Sequence, residues 1–184
     1  MSTAIFMTDA ALMQLPKNGH KYEYVNGEVV MSPAKMPHER VSHRLGFLVE
    51  LYLQKNPIAE VYGSSTGFRM ASGNLLSPDL SVVLLSHFPG GEEPEGFGYF
   101  APDIAVEVVS PSERKGKLAK KIEEYFANGS QLVLVINPKS KTVTVYRSPE
   151  NTAIFSEYQT LELSPILPGF SCQVGEIFKK RTRS

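Results

Sequence analysis

The chain has no tryptophan, one cysteine and no excess of charge: 19 Lys+Arg balance 19 Asp+Glu across 184 residues. The lone Cys172 excludes a disulfide framework and any multi-cysteine zinc site. Zero net charge excludes the histone-like mode of nucleic-acid binding, in which the whole molecule is basic, but not a local basic patch. No apolar run approaches the ~18 residues of a membrane-spanning helix. The start MSTAIFMTDA lacks the basic residues and apolar stretch of a signal peptide, so a cytoplasmic protein with no membrane partner is expected. No GxxxxGK[ST], GxGxxG or GxSxG string is present, which removes nucleotide-cofactor and serine-hydrolase readings. Repeats and low-complexity tracts are also missing. What remains is 42% hydrophobic and 21% charged, ample for a core, and the length suits a single domain over 1–184.

The elements follow from local chemistry. Asn26-Gly27, between Tyr22–Val25 and Glu28–Met31, is a hairpin signal, because both turn residues need positive φ. Val41, Leu45, Leu48, Val49 and Tyr52 predict a helix from His38 to about Lys55, stopped at Asn56-Pro57. Short strands are expected near Ile58–Tyr62 and Gly67–Met70. Leu80–Leu85 and Asp103–Val109 read as strands buried on both faces. The glycine-rich, acidic stretch between them, 86–101, reads as an exposed loop and the least ordered internal segment. A second helix is expected over Lys117–Asn128, capped by Gly129, then strands at Leu132–Ile136 and Thr142–Tyr146. The tail carries weaker strand signals. This order predicts an α/β fold: a mixed central sheet flanked by two main helices, with an N-terminal β-hairpin.

Two acids break the apolar pattern. Asp79 stands at the mouth of one buried strand and Glu107 inside the other. A buried carboxylate needs a partner, which makes Glu107 either one half of a structural ion pair or a metal-binding or catalytic group. Asp103 shares a strand face with Glu107 but lies four residues away, roughly 13 Å along the strand. Two carboxylates sharing an ion must each come within about 2.0–2.6 Å of it. Asp79 and Glu107, on different strands, can meet that condition, so Asp103 is expected to cap its strand. On the second helix the apolar set Leu118, Ile122, Tyr125 and Phe126 centres about 90° from Lys121 and about 170° from Lys120. Lys121 therefore reaches back toward the sheet, whereas Lys120 points to water.

Pro78-Asp79, followed after 27 residues by Glu107-Val108-Val109, resembles the PD-(D/E)XK nuclease motif with its strand lysine replaced by Val109. The wider pattern resembles the Uma-type restriction endonuclease branch of that superfamily, in which the lysine has moved to the next helix. The pieces are YEYVNGEVVMSPA at 22–34, His38, SPDLSVV at 77–83, PDIAVEVVSPSER at 102–114, KIEEYFANG from Lys121, VINP at 135–138 and LPGF at 167–170. The resemblance implies a restriction-endonuclease-like core and a metal-dependent endonuclease acting on DNA. Asp79, Glu107 and the Val109 carbonyl would hold Mg²⁺ or Mn²⁺. Lys121 would offset charge at the phosphate or orient the attacking water, and Glu28 would be an auxiliary carboxylate. His38 would contact an anion or cap its helix. A homodimer is implied by analogy, two sites for two strands.

Two departures stand out. Lys117 occupies a position that is usually acidic in the family, and the tryptophan common after Gly129 is missing. From Pro111 to Lys121 five bases (Arg114, Lys115, Lys117, Lys120, Lys121) face one acid, a local net of +4 where a nucleic-acid backbone would pass. Arg114, Lys117, Lys120 and His38 are therefore the candidate nucleic-acid contacts. The competing reading is a catalytically inactive nuclease-fold protein that binds nucleic acid or another protein.

Overall fold

The computed structural model describes residues 7–16, 21–32, 36–110 and 115–181. The elements run α1 (Asp9–Met13), β1 (Lys21–Val25), β2 (Glu28–Ser32), α2 (Met36–Leu53), β3 (Ala59–Gly63), β4 (Phe68–Arg69), β5 (Leu75–Leu76) and β6 (Leu80–Leu84). There follow β7 (Ile104–Val108), α3 (Lys115–Ala127), β8 (Leu132–Asn137), β9 (Thr142–Tyr146), β10 (Thr152–Ser156), β11 (Thr160–Glu162), β12 (Ser171–Gln173) and α4 (Val174–Phe178). The hairpin forms as expected: Val25 pairs with Glu28 across a turn in which Asn26 and Gly27 have φ of 51° and 88°.

A six-stranded mixed sheet in the order β10-β9-β8-β7-β6-β3 is the centre of the molecule. Only β7 and β8 are parallel, and α3 is the crossover that parallel neighbours require. Strand alternation then divides the core. Ile104, Val106 and Val108 face α2, whose Val41, Leu45, Val49 and Leu53 recur on one stripe. Ala105 faces the other side with Val83, Val133 and Val135, under Ile122 and Tyr125 of α3. Glu107 lies on this second face.

A smaller sheet, β2-β1-β5-β4, joins the main one through three residues. Ser77-Pro78-Asp79 carries the chain from β5 directly into β6, so β1 comes down beside the mouth of the central strands. The Ser77 N–H donates to Glu23 of β1 at 3.0 Å, which fixes the junction.

The segment 86–101 is an irregular loop exposed over 89–96, as expected, but its two ends are packed. Phe88 and Ala101 are buried, and Phe100 stacks on His87 at 4.3 Å. Gly98 exchanges backbone hydrogen bonds with Gly67 and Arg69. A Cβ at Gly98 would meet the Phe68 ring at 3.0 Å, so this glycine permits close packing rather than marking exposure. Asp103 behaves as a cap: its carboxylate accepts from the Leu84 N–H at 2.8 Å and the Gln131 amide at 2.9 Å. The LPGF string closes the core, with Leu167 and Phe170 buried and Tyr52 donating to the Pro168 carbonyl at 2.7 Å. No helix among the described residues is long and apolar enough to cross a membrane.

Candidate active site

Asp79 lies at the mouth of β6, near Glu107 of β7. The β6–β7 register pairs Leu80 with Val106, and the Asp79 N–H donates to that same Val106 carbonyl at 2.8 Å, so the ladder is bulged at Asp79 rather than continued in register. The Asp79 carboxylate turns over β7, where it accepts from the Val108 N–H, and its charge bears on Glu107. Both carboxylates are buried, with 6% and 3% of the residue surface exposed.

Each acid meets its own cation. Glu107 Oε1 accepts from Lys121 Nζ at 2.6 Å and from the Tyr125 hydroxyl at 2.6 Å. Lys121 and Tyr125 are four residues apart on α3, one turn of a single face. Lys121 Nζ also reaches Glu23 Oε1 at 3.0 Å. Asp79 Oδ1 accepts from Lys21 Nζ at 2.9 Å, while Oδ2 accepts from the Val108 N–H at 2.7 Å and lies 3.0 Å from His38 Nε2. His38 is in the first turn of α2, so that helix delivers a ring nitrogen to the Asp79 carboxylate.

The electrostatics follow from burial set against these contacts. Burial opposes ionisation of Asp79, yet the His38 hydrogen bond, the Lys21 ammonium and the Val108 N–H together hold its carboxyl well below the usual carboxylate range. Glu23 is likewise lowered against burial, by Lys121 and Lys21. Burial pushes Glu107 up, opposed by Lys121. Burial also disfavours the Lys121 ammonium, but Glu107 and Glu23 outweigh it and keep the lysine protonated far above its ordinary range. Burial and the adjacent Glu107 raise Tyr125, so its hydroxyl remains a donor.

His38 gives a direct check on this balance. Burial alone would lower its pKa, and the hydrogen bond and charge of Asp79 reverse the sign. Its contribution to stability is therefore full below the ordinary histidine value near 6.5 and lost as pH rises through the elevated one. Imidazole NMR titration should place His38 above 6.5 in the native protein and shift it downward in Asp79→Asn, where Glu39 alone still opposes burial. An unchanged titration in that variant would contradict the pairing.

The structure brings together Asp79, Glu107, Lys121 and His38 of the residues expected from the sequence. Glu28 is elsewhere: it begins β2 beyond the turn and is exposed. The acid that the hairpin contributes is Glu23, whose strand face turns inward. Val109 also needs correction. Its N–H points toward β8, donating to the Ile136 carbonyl at 2.8 Å, whereas Val108 points its N–H at Asp79. In extended backbone a residue's N–H and C=O share a side, so the main-chain oxygen on the Asp79 side belongs to Val108. Lys117 and Lys120 are exposed on α3, and Arg114 lies outside the described residues. Lys21 and Glu23 had no part in the sequence reading. Their signal is the alternation Lys21-Tyr22-Glu23-Tyr24, which places two opposite charges on one strand face.

The donor set fits a hard divalent ion. Two buried carboxylates and one carbonyl, all oxygen, match a cation that retains several waters and takes one or two carboxylates from protein. Among the described residues no group of three or more His, Cys, Asp and Glu side chains is placed to hold a metal ion.

Comparison with known proteins gives the chain a family and a fold. A family model described as "Uma2: Putative restriction endonuclease" matches residues 9–175. The crystal structure of a protein from Anabaena variabilis, titled a putative nuclease belonging to DUF820, superposes with a TM-score of 0.79 at 22% identity. The match covers 94% of this chain and 97% of that one, and at such identity it establishes the shared fold. No curated protein sequence matches.

Proposed function

The chain belongs to the Uma2 family, whose description reads "Putative restriction endonuclease", and on that premise we propose that it is a divalent-metal-dependent endonuclease hydrolysing DNA phosphodiester bonds. The observation that carries the proposal is the gathering of two buried carboxylates, Asp79 on the Val108 N–H and Glu107 in β7, at the mouth of β6 and β7, with Lys121 at Glu107 Oε1. Asp79, Glu107 and the Val108 carbonyl would hold the ion, Mg²⁺ or Mn²⁺. Bound there, it would act as a Lewis acid on a phosphodiester oxygen and make water a competent nucleophile.

The chain's own groups do the rest. Lys121, kept protonated by two carboxylates, presents fixed positive charge where negative charge develops at phosphorus. Tyr125 holds Glu107 in one orientation and shields its flank from water. Lys117 and Lys120 stand on the exposed side of the same helix, available to the phosphate backbone that approaches the site. Two copies of the chain would match two sites to the two strands of a duplex.

The test is supercoiled plasmid incubated with the full chain and Mg²⁺. Nicking and linearisation are expected, and EDTA should abolish both. Intact plasmid across Mg²⁺ and Mn²⁺, with duplex still bound, would support the non-catalytic binding module instead.

A further inference from the structure

Resting on the reading of Asp79 and Glu107 as metal ligands, we infer that Lys21 is a displaceable counter-ion. It occupies the ion's place on Asp79 in the metal-free protein and is released to the incoming phosphate when the ion binds. Three carboxylates (Asp79, Glu107, Glu23) converge with two ammonium groups (Lys21, Lys121) and His38. Without a metal this cluster is close to neutral. A divalent cation added to it would leave an excess of positive charge in a largely buried site, unless one resident cation moves away.

The contacts identify which one moves. Lys121 is held by two carboxylates, Glu107 and Glu23. Lys21 makes a direct ion pair with a single carboxylate, Asp79, through Oδ1, and acts on Glu23 and Glu107 only through its charge. The other oxygen, Oδ2, is anchored by the Val108 N–H and His38, both set by β7 and α2. Oδ1 is thus the one Asp79 oxygen held only by a long flexible side chain. Departure of Lys21 exposes it without breaking a backbone contact. The freed ammonium remains on β1 at the rim of the site, a strongly hydrated point charge suited to phosphate. Metal and DNA binding are then coupled through one side chain, and the coupling must be reciprocal. Lys21 is a positioning residue in this scheme, acting on the ion's access to Asp79.

The experiment is calorimetric titration of the full chain with MnCl₂ in the absence of DNA. Lys21→Met, which keeps the aliphatic stem, should tighten Mn²⁺ binding tenfold or more, and Lys21→Arg should stay within about threefold of wild type. A purely structural ion pair would leave the affinity unchanged or weakened in Lys21→Met, and that result overturns the inference. In Ca²⁺, chosen to allow binding without turnover, the gain in duplex affinity on adding the metal should shrink at least fivefold in Lys21→Met. An undiminished gain overturns the transfer to phosphate. If Lys21→Met lacks a cooperative melting transition, the wild type decides: the ¹⁵Nζ resonance of Lys21 should shift on adding Mg²⁺ while that of Lys121 persists, and a static Lys21 signal overturns the exchange. A wild type that binds no Mn²⁺ at millimolar concentration overturns the metal site itself, a different failure.

Discussion

Asp79→Asn and Glu107→Gln should each reduce Mg²⁺-dependent plasmid cleavage by about 10³-fold, equivalent to about 4 kcal/mol of lost transition-state stabilisation. Both substitutions keep the size and planarity of the side chain and remove a negative oxygen, so the loss reads the ion's ligation rather than packing. Their effects on stability should diverge. The Asp79 carboxyl is held far down by His38, Lys21 and the Val108 N–H. A lowered carboxylate contributes stability that is present above its unfolded pKa and lost as pH falls through the folded one. Asp79→Asn forfeits that contribution at neutral pH and also faces an amide N–H₂ with a lysine. Burial already pushes Glu107 the other way. Glu107→Gln retains an acceptor for Tyr125 and leaves Lys121 paired with Glu23, so its melting temperature should stay closer to wild type. Equal activity loss with unequal stability loss is the signature of a site held for chemistry. Undiminished cleavage by both variants would remove the two acids from the mechanism.

The second large effect is on folding. Lys121→Met should destabilise the protein by about 3–5 kcal/mol near pH 8, because it leaves Glu107 and Glu23 in the interior without their shared cation. The penalty should shrink as the solution is acidified. Glu107, which burial already raises with Lys121 present, is raised further without it, so the folded state binds a proton that the unfolded state releases. Stability of the variant therefore rises as pH falls through the folded value toward the unfolded carboxylate range. Urea denaturation at pH 8 and pH 5.5 checks the sign. A deficit of equal size at both values would mean that Lys121 acts through packing alone. Cleavage should be lost as well, since no other ammonium contacts Glu107 among the described residues.

The parts of this site set by a single element were legible in the sequence. The helical angle that separates Lys121 from Lys120 depends only on 3.6-residue periodicity, and Lys121 is indeed half-turned inward while Lys120 is exposed. Asn26-Gly27 and the two apolar strand strings needed no tertiary information either. The errors share a cause. Choosing between Glu28 and Glu23 requires knowing which face of the hairpin packs on the main sheet, and that depends on how Ser77–Asp79 joins the two sheets. Assigning the carbonyl to Val109 rather than Val108 was a matter of which neighbour flanks β7 on which side. Only the strand order β8-β7-β6 decides it. Lys21 meets Asp79 across 58 positions of sequence, with no local pattern to announce it. In 86–101 the glycines suggested exposure, whereas Gly98 is small because the Phe68 ring lies against it.

The claim beneath all of this is that Asp79 and Glu107 jointly hold a divalent ion. Crystals grown in Mn²⁺ and measured at the manganese edge test it most directly. The account predicts one anomalous peak between Asp79 Oδ1 and the Glu107 carboxylate, on the side of the Val108 carbonyl, with Lys21 drawn away from Asp79. Anomalous maps without that peak, showing Lys21 and Lys121 still seated on the two carboxylates at saturating Mn²⁺, would contradict it.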